Sequence, residues 1–313
     1  MQNSKRGLQF QQLLETFPPS VQEHLRDIPH TGGMLPADKC SAAMQALNVS
    51  AADLMVRLLP VAKLYAAAPI SGFAVGAVAR ARVSDRGRDF GLFLGANLEF
   101  PGQSPVLTVH AEQAAVVNAW LQGAWLIETL AVTAAPCGYC RQFLYELAGS
   151  HALTVILQQP DNGEVTKYNL SDLLPQAFGP RQLGSKTGLM ASGDQQPDLR
   201  LQMPSDDPVV LKALASAGKS YAPYSRTLAG CAIKTIDNKM YAGRYTENAA
   251  FNPSLSPLHT AIIRMNMDNF APGNKITRAV LVEKPKSVSQ RVICELLLKT
   301  VAPDVNLEYF EAV

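Results

Sequence analysis

Apolar residues recur every three or four positions through Leu54, Leu58, Val61, Leu64 and Tyr65, which predicts an amphipathic helix over 51–68 with its N-cap near Ser50. Residues 72–79 and 90–97 are short apolar runs punctuated by glycine, and the polar stretch 84–89 between them predicts the turn of a β-hairpin. Helical spacing returns over 110–121, 129–134 reads as a strand, and 140–147 reads as a helix with Phe143, Leu144 and Leu147 turned inward. Helix, strand, strand, helix, strand, helix is the order of a three-layer α/β sandwich. Ahead of it, Leu13, Leu14, Phe17, Val21 and Leu25 carry helical spacing and a Pro/Gly-rich stretch covers 29–36. Residues 1–48 therefore read as a small helical segment with no chemistry of its own.

The pattern then repeats. Ser71-Gly-Phe-Ala-Val-Gly-Ala77 lies on Ser225-Arg-Thr-Leu-Ala-Gly-Cys231, and Gly95-Ala-Asn-Leu-Glu99 lies on Gly243-Arg-Tyr-Thr-Glu247, in the same order and each followed by a loop and a helical pattern. A run rich in Gly, Ser, Asp, Gln and Pro separates the two halves. The expected organisation is a first domain over 49–185, a linker over 186–206 and a diverged second copy over 207–313. A length of 313 residues agrees with two domains of ~150 residues each.

Composition narrows the class. Hydrophobic residues are 47% and charged residues 17% of the chain, enough apolar surface for real cores and too little charge for disorder. The net charge of +2 leaves no global field to grip a polyphosphate, so no nucleic-acid partner is expected. Five cysteines with one close pair do not make a disulfide framework. The N-terminal residues lack the apolar core of a signal peptide, and the most apolar long stretch, 58–79, is broken by Pro60, Lys63, Pro69 and Gly72, so no membrane association is expected. A cytoplasmic protein fits these features.

The strongest chemical signal is His110-Ala-Glu112 followed by Pro136-Cys137-Gly-Tyr-Cys140. Two cysteines three apart at a helix start turn both sulfurs to one face, and His110 adds a nitrogen. Three such ligands suit tetrahedral Zn²⁺ with the fourth position left for water, the arrangement of a catalytic rather than a structural site. Glu112, two residues beyond His110, is placed to move protons without being a ligand. The helix beginning near Cys137 offers free N–H groups that draw charge from the thiolates, with Arg141 as a possible helper.

At these residues the sequence resembles the cytidine deaminase family, in the longer, homodimeric bacterial and plant type, over about residues 50–310. The resemblance implies a three-layer α/β/α sandwich with a mixed five-stranded sheet, duplicated, in which the second copy is non-catalytic and completes the active site by dimerisation. It implies hydrolytic deamination of cytidine and 2′-deoxycytidine in pyrimidine salvage, with a zinc-activated water attacking C4 and Glu112 as proton shuttle. It further implies Asn97 and Glu99 on the ribose, toward the 3′ hydroxyl, Phe73 packed on the base, and Ala111 in the substrate-binding set. Ala135 departs from the Ser or Thr that family members commonly carry before the Pro-Cys pair. The competing readings are a zinc deaminase acting on tRNA or single-stranded nucleic acid, which predicts a basic groove and against which the +2 charge and the lack of a Lys/Arg-rich cluster argue, and a zinc-stabilised binding protein, which does not explain an open ligand position beside a carboxylate.

Overall fold

The computed structural model describes residues 2–83, 89–159, 163–191, 198–268 and 275–313, so of the expected 84–89 turn only Asp89 lies within the described residues. The chain forms two units, Met1–Glu99 with Val109–Phe178 and Asn266–Pro272, and Phe100–Thr108 with Gly179–Met265 and Gly273–Val313. In chain order the first unit contains α1 (Gln2–Leu14), α2 (Pro19–Leu25), β1 (Met34–Leu35), α3 (Ala37–Leu47), α4 (Ala51–Lys63), β2 (Gly76–Arg82), β3 (Phe90–Ala96), α5 (Ala111–Leu121), β4 (Leu126–Val132), α6 (Gly138–Tyr145), β5 (Thr154–Gln158), β6 (Val165–Asn169) and α7 (Leu170–Leu173). The second contains α8 (Pro208–Ala217), β7 (Leu228–Thr235), β8 (Met240–Arg244), α9 (Pro257–Met267, up to Met265), β9 (Ile276–Lys284), α10 (Arg291–Val301) and β10 (Leu307–Glu311). No helix among the described residues is long and apolar enough to cross a membrane.

The first sheet runs β1-β3-β2-β4-β5-β6, with β4 and β5 parallel and the other neighbours antiparallel. Two glycines seat helices on its opposite faces. A Cβ at Gly76 would strike Leu59 and Lys63 of α4, and one at Gly95 would overlap the backbone of Ala114 and Ala115 in α5. Because Gly95 pairs with Ala77, the neighbour of Gly76, the two glycines face opposite ways and the unit is a three-layer α/β/α sandwich. The second unit repeats this with Gly230 against α8 and Gly243 against α9, across the pairs Gly230–Arg244 and Cys231–Gly243 of a sheet ordered β10-β9-β7-β8. Gly95→Ala must push α5 off the sheet and is expected to cost on the order of 3 kcal/mol. Gly7→Ala, in α1 with open space around it, should not lower the melting temperature, and thermal melts of the two variants check the contrast.

Several sequence expectations shift. The sheets have six and four strands among the described residues instead of five each. Met34 and Leu35, within the Pro/Gly-rich stretch of the expected helical segment, pair with Phe93 and Leu92 and add an edge strand. In the second unit, no described strand stands where β1 or β6 would; residues 200–202 instead hydrogen-bond to 311–313 through one bridge, Leu201–Ala312. Leu199 is buried in the same core as Val209, Val210, Val280 and Val282. Helix α4 has the expected Ser50 cap, with Ser50 and Asp53 each accepting the other's amide, but it ends at Lys63 because both backbone groups of Ala67 bond to Asn97 and Glu99. Strand β2 starts at Gly76, since residues 71–75 form a loop held by side chains.

Candidate active site

Two helices begin at one place. His110 directly precedes α5 and its carbonyl accepts from Ala114 N at 2.9 Å; Cys137 directly precedes α6 and accepts from Arg141 N at 3.0 Å. His110 Nδ1 lies 3.7 Å from Cys137 Sγ, which lies 3.7 Å from Cys140 Sγ. A tetrahedral zinc ion with bonds of ~2.3 Å to sulfur and ~2.0–2.1 Å to nitrogen separates such ligands by about 3.6–3.8 Å, so the donor set fits zinc in type and spacing. Among the described residues this is the one group of three or more His, Cys, Asp or Glu side chains so placed.

The electrostatics follow from the geometry. Hydrogen bonds from Cys140 and His110 bring the Cys137 thiol down to about 3 against the cost of desolvation, and the Cys140 amide, at the start of α6, also donates to its sulfur. Cys140 is pushed up, first by its bond to Cys137 and then by burial. His110 is raised by Cys137 against desolvation. Glu112 is buried in the first turn of α5 and desolvation raises its carboxyl, opposed by its own amide, by His110 and by a hydrogen bond with Cys140. The expected help from Arg141 is not seen: its guanidinium donates to the carbonyls of Pro136 at 2.8 Å and Leu173 at 3.0 Å. It braces the loop before Cys137 and the end of α7.

Two further residues support the cluster. Gln113 Oε1 accepts from His110 N at 3.0 Å, and Tyr139, hydrogen-bonded to Gln113, stacks on the His110 ring with centroids 5.4 Å apart at 26°. Gln113 was legible as the third residue of a helix after its cap, the position that returns a hydrogen bond to the capping backbone. Nothing in the spacing distinguishes Tyr139.

Asn97 and Glu99 both face the 67–75 loop. Asn97 Oδ1 accepts from Val75 N at 2.8 Å and Nδ2 donates to Phe73 O at 2.9 Å. Glu99 Oε2 accepts from Ile70 N at 2.7 Å and Ser71 N at 3.0 Å, and Oε1 accepts from Ser71 Oγ. Desolvation pushes the Glu99 carboxyl up, but the Ser71 and Ile70 bonds outweigh it and hold it below its usual range. Phe73 is 56% exposed, its N–H bonded to Ser71 Oγ. Leu98 and Val109 exchange backbone hydrogen bonds of 2.9 Å each, which sets the Asn97–Glu99 segment beside His110; Ala111 is the buried first residue of α5.

The same loop recurs in the second unit. Glu247 accepts from Tyr224 N at 2.8 Å and Ser225 N at 3.0 Å, Thr227 N donates to Ser225 Oγ, and Thr246 pairs with Leu255 as Leu98 does with Val109. That register puts Ser256 in the place of His110 and Leu258 in the place of Glu112, so neither the imidazole nor the carboxylate recurs at those positions.

Residues 36–156 and 170–295 match two families, both described as the cytidine and deoxycytidylate deaminase zinc-binding region. The chain is 36% identical to a cytidine deaminase of Aliivibrio fischeri over 96% of both chains, and 38% identical to one of Photobacterium profundum over 89% of both. The chain belongs to the cytidine deaminase family. As a member of that family it is a zinc-dependent hydrolytic deaminase, and its two halves are copies of the zinc-binding region. A solved cytidine deaminase from Burkholderia pseudomallei is 32% identical, covering 40% of this chain and 98% of its own, with a TM-score of 0.34.

Proposed function

We propose that the protein hydrolyses cytidine and 2′-deoxycytidine to uridine and 2′-deoxyuridine, releasing ammonia, in pyrimidine salvage in the cytoplasm. The observation that carries this reading is a buried carboxyl, Glu112, bonded to one member of a two-cysteine, one-histidine ligand set. His110, Cys137 and Cys140 would hold the zinc. When bound, zinc supplies the Lewis acidity that brings a water's pKa toward neutrality. Glu112 would take the two protons of the attacking water in turn, passing the first to N3 and the second to the amine that leaves C4, and its raised affinity for protons suits it to both directions of transfer. The Cys140 amide at the start of α6 donates to the Cys137 sulfur and draws charge from it, which would keep two anionic ligands from quenching a bound metal.

On the nucleoside side, Asn97 and Glu99 keep unused hydrogen-bonding capacity beyond their bonds to the loop, enough for a ribose hydroxyl. Phe73, exposed at the same loop, packs on the base, and the backbone at Ala111 completes the set. Residues 207–313 are a non-catalytic copy joined through 186–206, and the chain acts as a homodimer without nucleic acid.

The test is the ultraviolet change of cytidine and the ammonia released by the purified protein, with and without chelator, alongside one zinc per chain. A dimer should be seen in solution, and a cytosine-containing single-stranded oligonucleotide should not be converted. Because Glu99 is ionised at neutral pH, cytidine 5′-monophosphate should react with a kcat/KM about tenfold or more below that of cytidine, as a like charge nearby repels the phosphate. Equal values would remove Glu99 from the sugar site.

A further inference from the structure

We propose that His259, a residue of the non-catalytic copy, is a positioning residue for the reaction: it fixes the loop that joins Glu99 to His110. The inference rests on the roles given above to those two residues. The Leu98–Val109 pair closes the loop at its base, so the chain leaves at Glu99 and returns one residue before His110. Its body, Phe100–Thr108, belongs to the second unit. There His259 Nε2 lies 3.0 Å from the Leu107 carbonyl oxygen, and the imidazole stands edge-on to the Phe100 ring at 6.0 Å and 71°. His259 thus holds the loop at both ends, beside Glu99 and three residues before His110.

The ring is locked in one state. The Leu107 carbonyl only accepts, so Nε2 carries the proton. His259 is 3% exposed, and burial brings it down to about 4, so it stays neutral and Nδ1 accepts from Ser256 Oγ at 2.7 Å. Ser256 Oγ in turn accepts from His259 N at 3.3 Å, which ties the hydroxyl to the first turn of α9. Position 259 corresponds to Gln113 in the first copy, where the side chain serves the backbone of its own helix cap. In the second copy the residue is turned outward to another segment of chain, and the coupling to the zinc ligand runs along three residues of backbone.

The test compares full-length zinc-loaded wild type, His259→Leu, His259→Gln and Ser256→Ala for zinc release to a chelator, for the visible spectrum after cobalt substitution, and for kcat and KM on cytidine. His259→Leu is expected to release zinc about tenfold faster and to lose about tenfold in kcat with KM nearly unchanged, the size of effect seen for residues that orient metal ligands. Its cobalt bands should shift. His259→Gln, whose amide N–H reaches as far as Nε2, should stay within about twofold of wild type. A folded His259→Leu protein with wild-type zinc release and cobalt spectrum would overturn the proposal, as would a His259→Gln protein no better than His259→Leu. If His259→Leu does not fold, Ser256→Ala decides: it removes the hydrogen bond that anchors Nδ1 and holds the ring toward Leu107, and should give faster zinc release and a shifted spectrum, and wild-type behaviour in both refutes the role. Zinc release and cobalt spectra need no substrate, so a wild-type protein inactive on cytidine would defeat the reading of function without deciding this one.

Discussion

Glu112→Gln should retain zinc and fold and lose nearly all turnover. The amide fills the same buried space in the first turn of α5 but does not accept a proton. General acid–base catalysis is typically worth ~10²–10⁴ in rate, and one carboxylate serving several transfers places the loss at the upper end or beyond. Metal content and kcat on cytidine are the measurements. Retention of more than about a tenth of wild-type activity would contradict the role given to Glu112, because even a single proton transfer contributes more than that.

Cys137→Ala and His110→Ala should fail differently, by losing the metal. With one of three ligands gone the remaining pair offers no tetrahedral set, so zinc per chain should fall well below one and kcat by more than about 10³, the scale of an activated water lost at neutral pH. Metal analysis after dialysis separates these variants from Glu112→Gln at once. A fully loaded but inactive Cys137→Ala protein would mean that the zinc is held elsewhere.

The chemistry was more legible in the sequence than the edges of the fold. His110, Cys137 and Cys140 stand out because ligand spacing at two helix starts is a local property, and the sulfur and nitrogen atoms do converge. Gly95 and Gly243 announced the duplication because only a residue without a side chain tolerates a helix so close to the sheet. What stayed hidden depends on contacts distant in the chain. The apolar run from Gly72 reads as strand, yet Asn97 and Glu99 claim the backbone of that loop from across the unit. Met34 and Leu35 become a strand only because β3 offers an open edge. Arg141 has the right charge and position to help the sulfurs, but two carbonyls take its guanidinium. Tyr139 supports His110 through ring stacking, which leaves no periodicity to read.

Glu99 and Glu247 grip the same backbone turn in two units, and among the described residues only the first carries a cluster of His and Cys side chains. The carboxylate at this position is therefore a builder's clamp before it is a recognition group. Redesign toward a phosphorylated substrate by reversing the charge at Glu99 would undo the turn that presents Phe73 before it gained any hold on phosphate. The side chain of Phe73 itself, exposed and holding no backbone in place, is the position from which such redesign can start without dismantling the scaffold.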